Sequence, residues 1–270
     1  MNEVVKSYRL FNLLSLDVAS GAVVGSLFFA KIYGVAISYP VLISLALTVW
    51  LIYTADRLLD VQHIEGAAAS ERHRFHQQHL KKMKYAAGMV MIVDIVLIFF
   101  MPEEVIKHGI FLTGVVVAYI LLRRKLHILK ELLIASLYTA GVLLPAWPHD
   151  QLRLVQYFPI LLFFLIALIN LILFSWYERE NDLKDKTDSV ATLVDDATIH
   201  FILKGLFIIT FSGSLYLFLQ PVYHFMSLVF LAMTMVLFLI FKYTTSFVTN
   251  DYYRLAGDAV FLFPIFYLMT

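Results

Sequence analysis

Two groups of carboxylates carry the strongest chemical signal in this 270-residue chain. The first lies in Trp50-Leu51-Ile52-Tyr53-Thr54-Ala55-Asp56-Arg57-Leu58-Leu59-Asp60, where Asp56 and Asp60 stand four residues apart. On a helix that spacing puts both on one face, one turn from each other, so together they can hold one cation. The second group lies in Tyr177-Glu178-Arg179-Glu180-Asn181-Asp182-Leu183-Lys184-Asp185-Lys186-Thr187-Asp188-Ser189. Glu178, Asp182 and Asp185 share one helical stripe there, and Asn181, Asp185 and Asp188 share the neighbouring one. Oxygen donors at that density suit magnesium, which takes a few carboxylates, keeps waters and accepts phosphate oxygens. Arg57, Arg123, Arg124, Lys130 and Lys184 would neutralise the rest of a diphosphate leaving group.

The elements that must position these acids are membrane helices. Hydrophobic residues make up 61% of the chain and charged residues 15%, well below the roughly 25% charge of soluble domains. Nearly uncharged runs such as 155–175 and 225–241 each approach the length that a bilayer demands. Apolar runs bounded by charges and prolines predict about nine transmembrane helices, at 10–34, 38–60, 83–101, 106–122, 127–147, 154–178, 198–219, 223–243 and 253–270. The whole chain, 1–270, is thus expected to be one transmembrane domain with no sizeable soluble part. The apolar run after Lys6 and Arg9 continues without a cleavage site, which predicts a retained first helix and not a signal peptide.

Charge position says more than the net charge of +1, which gives no field to attract nucleic acid. With this helix assignment, 18 of the 21 Lys and Arg residues fall on one side, leaving Lys31, Lys107 and Arg153 on the other. Positive charge stays cytoplasmic, so the N-terminus is predicted inside and, after an odd number of spans, the C-terminus outside. Both acidic groups then face the cytoplasm, at the mouths of the two longest connections, 61–82 and 179–197. Long polar loops are where binding surfaces are built. The absence of cysteine excludes disulfides, thiolate chemistry and Cys-based metal sites.

Acids inside a bilayer pair, line wet cavities or bind ions. Asp17, Asp94 and Asp258 lie within predicted spans and are therefore candidates, Asp17 either touching an acceptor in the cavity or bonding between helices. Glu180 and Asp195 read as solvated helix ends. His73, His76 and His79 recur at intervals of three, which would serve a metal or, more simply, mark an amphipathic helix lying at the interface. Tyr53, Tyr119, Tyr138 and Tyr177 are the aromatic residues best placed to face a cation. Ser136 to Gly141, around Tyr138, is a small-residue stretch that permits close helix approach or leaves cavity space.

These motifs resemble the UbiA prenyltransferase superfamily. Asp56-Arg57-Leu58-Leu59-Asp60 is similar to the end of that family's first aspartate-rich motif, N-D-x-x-D-x-x-x-D, with Ile52-Tyr53 standing where Asn-Asp is usual. Asn181 to Asp188, followed by Ala191-Thr192-Leu193, is similar to the second motif with its trailing Thr-Leu. The resemblance covers the whole chain and implies an all-α polytopic membrane protein enclosing a lateral cavity, with 61–82 and 179–197 capping the active site. It implies an Mg²⁺-dependent prenyltransferase that moves a polyprenyl group from its diphosphate, through an allylic cation, to an aromatic or lipid acceptor. Asp56, Asp60, Asp182 and Asp185 would be catalytic, and the same four with Asp188 would hold the metal. Arg57, Arg72, Arg74, Lys130, Lys184 and Asn181 would contact the diphosphate, with Arg72 and Arg74 closing over it. A bacterial inner membrane is the expected setting.

Two other readings compete. A secondary transporter would use intramembrane acids to couple ions, but transporters place them at broken helices near the midplane, whereas these cluster at one membrane edge. A non-catalytic lipid-binding paralogue of the same fold would account for Ile52 and Tyr53. Neither the acceptor nor the prenyl chain length is legible in the residues.

Overall fold

Inside a bilayer every backbone N–H and C=O must be satisfied within its own segment, which leaves helices as the answer to long apolar runs. The computed structural model describes residues 3–62, 64, 66–122, 126, 129–148, 152–185 and 189–270, and no strand occurs among them. The chain opens with α1 (Glu3–Leu13), α2 (Leu16–Tyr33) and α3 (Tyr39–Val61). Then come α4 (Glu71–Gln78), α5 (Leu80–Ile98), α6 (Glu103–Leu122) and α7 (Lys130–Leu143). The second half holds α8 (Phe158–Asp185), α9 (Val190–Leu193), α10 (Asp196–Phe218), α11 (His224–Lys242), α12 (Thr244–Val248), α13 (Tyr252–Ala259) and α14 (Ile265–Leu268).

Six stretches are long and apolar enough to cross a membrane: Leu16–Tyr33, Tyr39–Val61, Glu103–Leu122, Leu154–Asp185, Asp196–Phe218 and Pro221–Lys242. The protein is a polytopic membrane protein. The other three expected spans are also helical, each with a reason to fall short. α5 begins with Lys81, Lys82 and Lys84 and carries Asp94. α7 has 14 residues before a tighter turn takes over at Leu144–Ala146. The expected helix at 253–270 is divided into α13, a short turn at Val260–Leu262 and α14.

Two boundaries correct the sequence expectation, at Ser15 and at the end of α8. The helix expected at 10–34 is broken at Ser15, a buried residue held at φ 55°. The polar segment with Glu3, Lys6, Arg9 and Asn12 turns away there as α1, and only the apolar part continues as α2. The helix expected to end at 178 runs on to Asp185, so the second acidic motif is a direct extension of a membrane span. Near the C-terminus, Asn250 and Asp251 adopt φ 54° and 53° and set α13 off from α12.

From Phe158 to Phe174 α8 is apolar on every side but for Asn170, as a helix surrounded by protein should be. It packs against α7, α9, α10, α11 and α13, and Phe163, Ile166, Ile169 and Leu173 are fully enclosed. α5 and α6 form the periphery, where Met89, Ile92, Phe99, Ile110 and Phe111 lie exposed, the surface lipid tails would cover. α13 comes so near α8 that a Cβ on Gly257 would stand 2.5 Å from Asn170 Oδ1 and 2.7 Å from Phe174 Cε1. That approach brings the charged start of α13 beside the acids of α8.

Candidate active site

α3 and α8 end at the same level of the bundle, so their terminal acids meet. Asp56 and Asp60 from α3, and Glu178 and Asp182 from α8, line one cavity of about 160 Å³. Arg57 and Lys130 line it too, and Ile52, Ile120, Ile134 and Leu171 make its apolar wall. Tyr53 and Tyr119 line it as well. The apolar wall reaches inward along the helices: Leu171 precedes Asp182 by three turns of α8, about 16 Å.

The remaining predicted residues lie around this cavity. Asp185 sits above it, accepting from the Ala69 backbone N–H at 3.1 and 3.3 Å and facing His73 Nδ1 at 3.5 Å. Asp188 lies outside the described residues. Lys184 is exposed. Asn181, Arg72 and Arg74 line a neighbouring polar cavity of about 240 Å³ and not the carboxylate cavity.

α4 covers the acids because Ser70 caps it, its hydroxyl accepting from His73 N at 3.2 Å. His73 then stands between the two motifs, its Nε2 4.0 Å from Asp60 and its Nδ1 3.5 Å from Asp185. Burial first, and the Arg57 guanidinium next, hold His73 down at about 4 against the upward pull of the Asp185 hydrogen bond. The three histidines do not share a site: Nδ1 of His76 and of His79 each lies 2.9 Å from a carbonyl of their own helix, at Arg72 and Phe75.

Sequence reasoning passed over Glu131, Arg254 and the partnership of Glu178. Glu131, 6% exposed, lines the carboxylate cavity. Its Oε1 accepts from Val190 N at 2.9 Å, tying α7 to the turn after the second motif, while its Oε2 is buried without a partner among the described residues. Arg254 forms an ion pair with Glu178, which also accepts from the Tyr253 hydroxyl at 2.9 Å. The Arg254 guanidinium lies 5.3 Å over the Phe174 ring. An arginine opening a last helix whose one other charge is Asp258 was the available signal for Arg254; nothing distinguished Glu131 from the surface-type pair Lys130-Glu131.

Asp17, Asp94 and Asp258 are satisfied inside the bundle. Asp17 is fully buried and accepts from the Asn12 amide and from Val18 N at 2.9 Å. Asp258 accepts from the same Asn12 amide at 2.8 Å and lies 3.5 Å from Arg72. Asp94 accepts from Ser44 at 2.5 Å and Thr48 at 2.7 Å, clamping α5 to α3. Tyr177 donates to Ile240 O at 2.8 Å and stacks on Tyr253, their ring centroids 4.3 Å apart, as a helix tie.

No protein-family profile and no curated protein sequence matches this chain. A solved structure does, that of a digeranylgeranylglyceryl phosphate synthase in membranes. It superposes with a TM-score of 0.54 and 14% sequence identity over 98% of each chain. The chain shares the fold of that synthase. In this fold the meeting of α3 and α8 is the place where acidic helix ends converge.

The donor set fits a hard divalent cation by its chemistry: hard oxygen ligands from two helices, beside a buried Glu131 Oε2 that has no hydrogen-bond partner among the described residues; Arg57 Nε, likewise buried and unpartnered among them, calls for an anion next to that cation. Among the described residues no group of three or more Asp, Glu and His side chains is drawn together tightly enough to hold a metal as it stands. Asp185, engaged by Ala69 and His73, would have to exchange those partners to join Asp182.

Proposed function

We propose that the chain is an intramembrane prenyltransferase that moves a polyprenyl group from its diphosphate to an aromatic or lipid acceptor, with magnesium. One observation carries this reading: Asp56, Asp60 and Asp182, from two helix ends, line one cavity whose far wall is apolar. An amphiphile with an anionic head and a hydrocarbon tail matches that polarity. The shared fold with a digeranylgeranylglyceryl phosphate synthase agrees with it.

Asp56, Asp60, Asp182, Asp185 and Asp188 would hold magnesium, which when bound neutralises the diphosphate and makes it a better leaving group. Arg57 and Lys130 contribute charge-assisted hydrogen bonds to phosphate oxygens. Ile52, Ile120, Ile134 and Leu171 hold the isoprenoid and exclude water, which would otherwise capture the cation. The carbon–oxygen bond to the diphosphate breaks with its electron pair leaving on oxygen. The acceptor's nucleophile forms the new bond to that carbon and gives up a proton. The ring faces of Tyr53 and Tyr119 stabilise the positive charge in between. Lys184, at the surface, would meet only the rim of the diphosphate. The acidic ends face the cytoplasm in this reading, with the N-terminus on the same side.

The test is a titration of the purified protein with geranylgeranyl diphosphate, with and without magnesium, beside the Asp182→Ala/Asp185→Ala double variant. Magnesium-dependent binding that the double variant loses is expected. No binding across several prenyl lengths would sink the reading. Binding without transfer to any acceptor would instead identify a non-catalytic paralogue, the reading favoured by Ile52 and Tyr53, which line the cavity where the family motif carries Asn-Asp.

A further inference from the structure

The neighbouring polar cavity, about 240 Å³, lies between α1, α4, the end of α8 and the start of α13. Four arginines line it, Arg9, Arg72, Arg74 and Arg254, against three carboxylates, Glu71, Glu178 and Asp251. Those carboxylates are already engaged. Glu71 and Asp251 both pair with Arg9, and Glu178 takes Arg254 and the Tyr253 hydroxyl.

Among the described residues the guanidinium groups of Arg72, Arg74 and Arg254, by contrast, engage only part of their donors. Arg72 uses one terminal nitrogen, towards Asn12 Oδ1 at 3.3 Å and Asp258 at 3.5 Å. Its Nε is buried with no acceptor among the described residues, although the side chain is only 5% exposed. Arg74 uses a single nitrogen, Nη1, on the carbonyls of Ala68 and Ala69 at 3.0 and 2.6 Å. Arg254 uses only Nη2, on Glu178. A buried guanidinium N–H without an acceptor is costly unless an anion or water completes it. Planar forks arriving from two elements suit the several oxygens of a phosphate.

We propose that this cavity is a second, magnesium-independent site for a phosphate-class oxyanion. Arg72 and Arg74 of α4 and Arg254 of α13 build it, and the Glu178–Arg254 pair walls it from the carboxylate cavity. Both residues of that pair line both cavities, so the wall is one ion pair thick. Two sources share the chemistry: the inorganic diphosphate released by transfer, and the phosphate head of an amphiphilic acceptor. The oxyanion site itself stands on geometry alone, while its two sources rest on the prenyl-transfer reading.

The test is calorimetry on the full chain in lipid nanodiscs with a chelator present, using inorganic diphosphate and, separately, glycerol phosphate as probes. Saturable one-to-one binding without magnesium is expected. It should survive in the Asp182→Ala/Asp185→Ala variant and persist when geranylgeranyl diphosphate and magnesium saturate the other cavity. Arg74→Gln, at an exposed position, should weaken it at least tenfold, and Arg74→Lys should restore part of the loss. A tenfold preference for diphosphate assigns the leaving group as the source, and the opposite preference assigns the acceptor head. Absence of binding, indifference to Arg74→Gln, or one-for-one displacement by the prenyl diphosphate overturns the proposal. If the prenyl diphosphate fails to bind at all, the transferase reading falls while the oxyanion titration still decides the site.

Discussion

Glu178 stands one turn before Asp182 on the same helix, yet its chemistry differs because Arg254 and Tyr253 claim it. A buried ion pair contributes little net stability, but removing one partner leaves an uncompensated charge. Arg254→Met alone should therefore cost about 3–5 kcal/mol, and Glu178→Leu/Arg254→Met should recover most of that. Denaturant titration in mixed micelles reads both, and a double variant no more stable than Arg254→Met refutes the pairing. Asp94 is a purely structural case: Asp94→Ala should lose about 1–3 kcal/mol by orphaning two hydroxyls and leave magnesium-dependent donor binding unchanged. A donor-binding defect at constant stability would contradict that assignment. At this scale the sequence separated acids by position along the chain but not by partner. Asp17, Asp94 and Asp258 stood as candidates, below Asp56 but not dismissed, because the hydroxyls and amide that satisfy them come from other helices. Those partners, Ser44, Thr48 and Asn12, carry no motif of their own.

Among the elements, α3 was the most legible, since it is expected at 38–60 and observed as Tyr39–Val61. Pro40 in its first turn and a long apolar run fix it. The breaks inside expected helices, at Ser15 and at Val260–Leu262, were the least legible, whereas a connection before 253 was expected. Ser15, Asn250 and Asp251 take left-handed backbone without being glycine, so the usual punctuation is missing, and only the burial of Ser15 against its neighbours and the meeting of α13 with α8 select those conformations. The glycines allow this reading of element contacts to be checked. Gly257→Ala should push α13 from α8, because its Cβ would lie 2.5 Å from Asn170 Oδ1 and 2.7 Å from Phe174. A destabilisation of about 1–3 kcal/mol is the expected scale. Gly141→Ala meets nothing within 4 Å and should gain roughly 0.5–1 kcal/mol from helix propensity and reduced unfolded-state freedom. Melting curves that rank the two variants the other way would show that α13 does not rest on α8 as described. Within its small-residue stretch Gly141 faces open space, while Tyr138 packs against α2, its hydroxyl 3.3 Å from where a Cβ on Gly21 would stand.

For the whole molecule, the decisive question is how many times the chain crosses the bilayer, and α7 is the element on which the count turns. Its 14 residues span about 21 Å at 1.5 Å per residue. The tighter turn at Leu144–Ala146, of 3 residues, adds about 6 Å at 2.0 Å per residue. The sum, about 27 Å, is close to the roughly 30 Å hydrocarbon thickness, so α7 with its extension should cross. Lys107, at the start of α6, and Lys184, near the end of α8, are then separated by three crossings and must lie on opposite sides. The chain contains no cysteine, so Lys107→Cys and Lys184→Cys each introduce a single label site into an otherwise unreactive background. An impermeant maleimide applied to vesicles of one orientation should modify one variant and spare the other, and vesicles of the opposite orientation should reverse the result. If positive charge sets orientation, Lys184→Cys is the one modified from the cytoplasmic side. Labelling of both from the same side would mean that α7 dips into the bilayer and returns. Lys130 and Glu131 could then no longer share a membrane face with Asp56 and Asp182, and the carboxylate cavity would lose one of its walls.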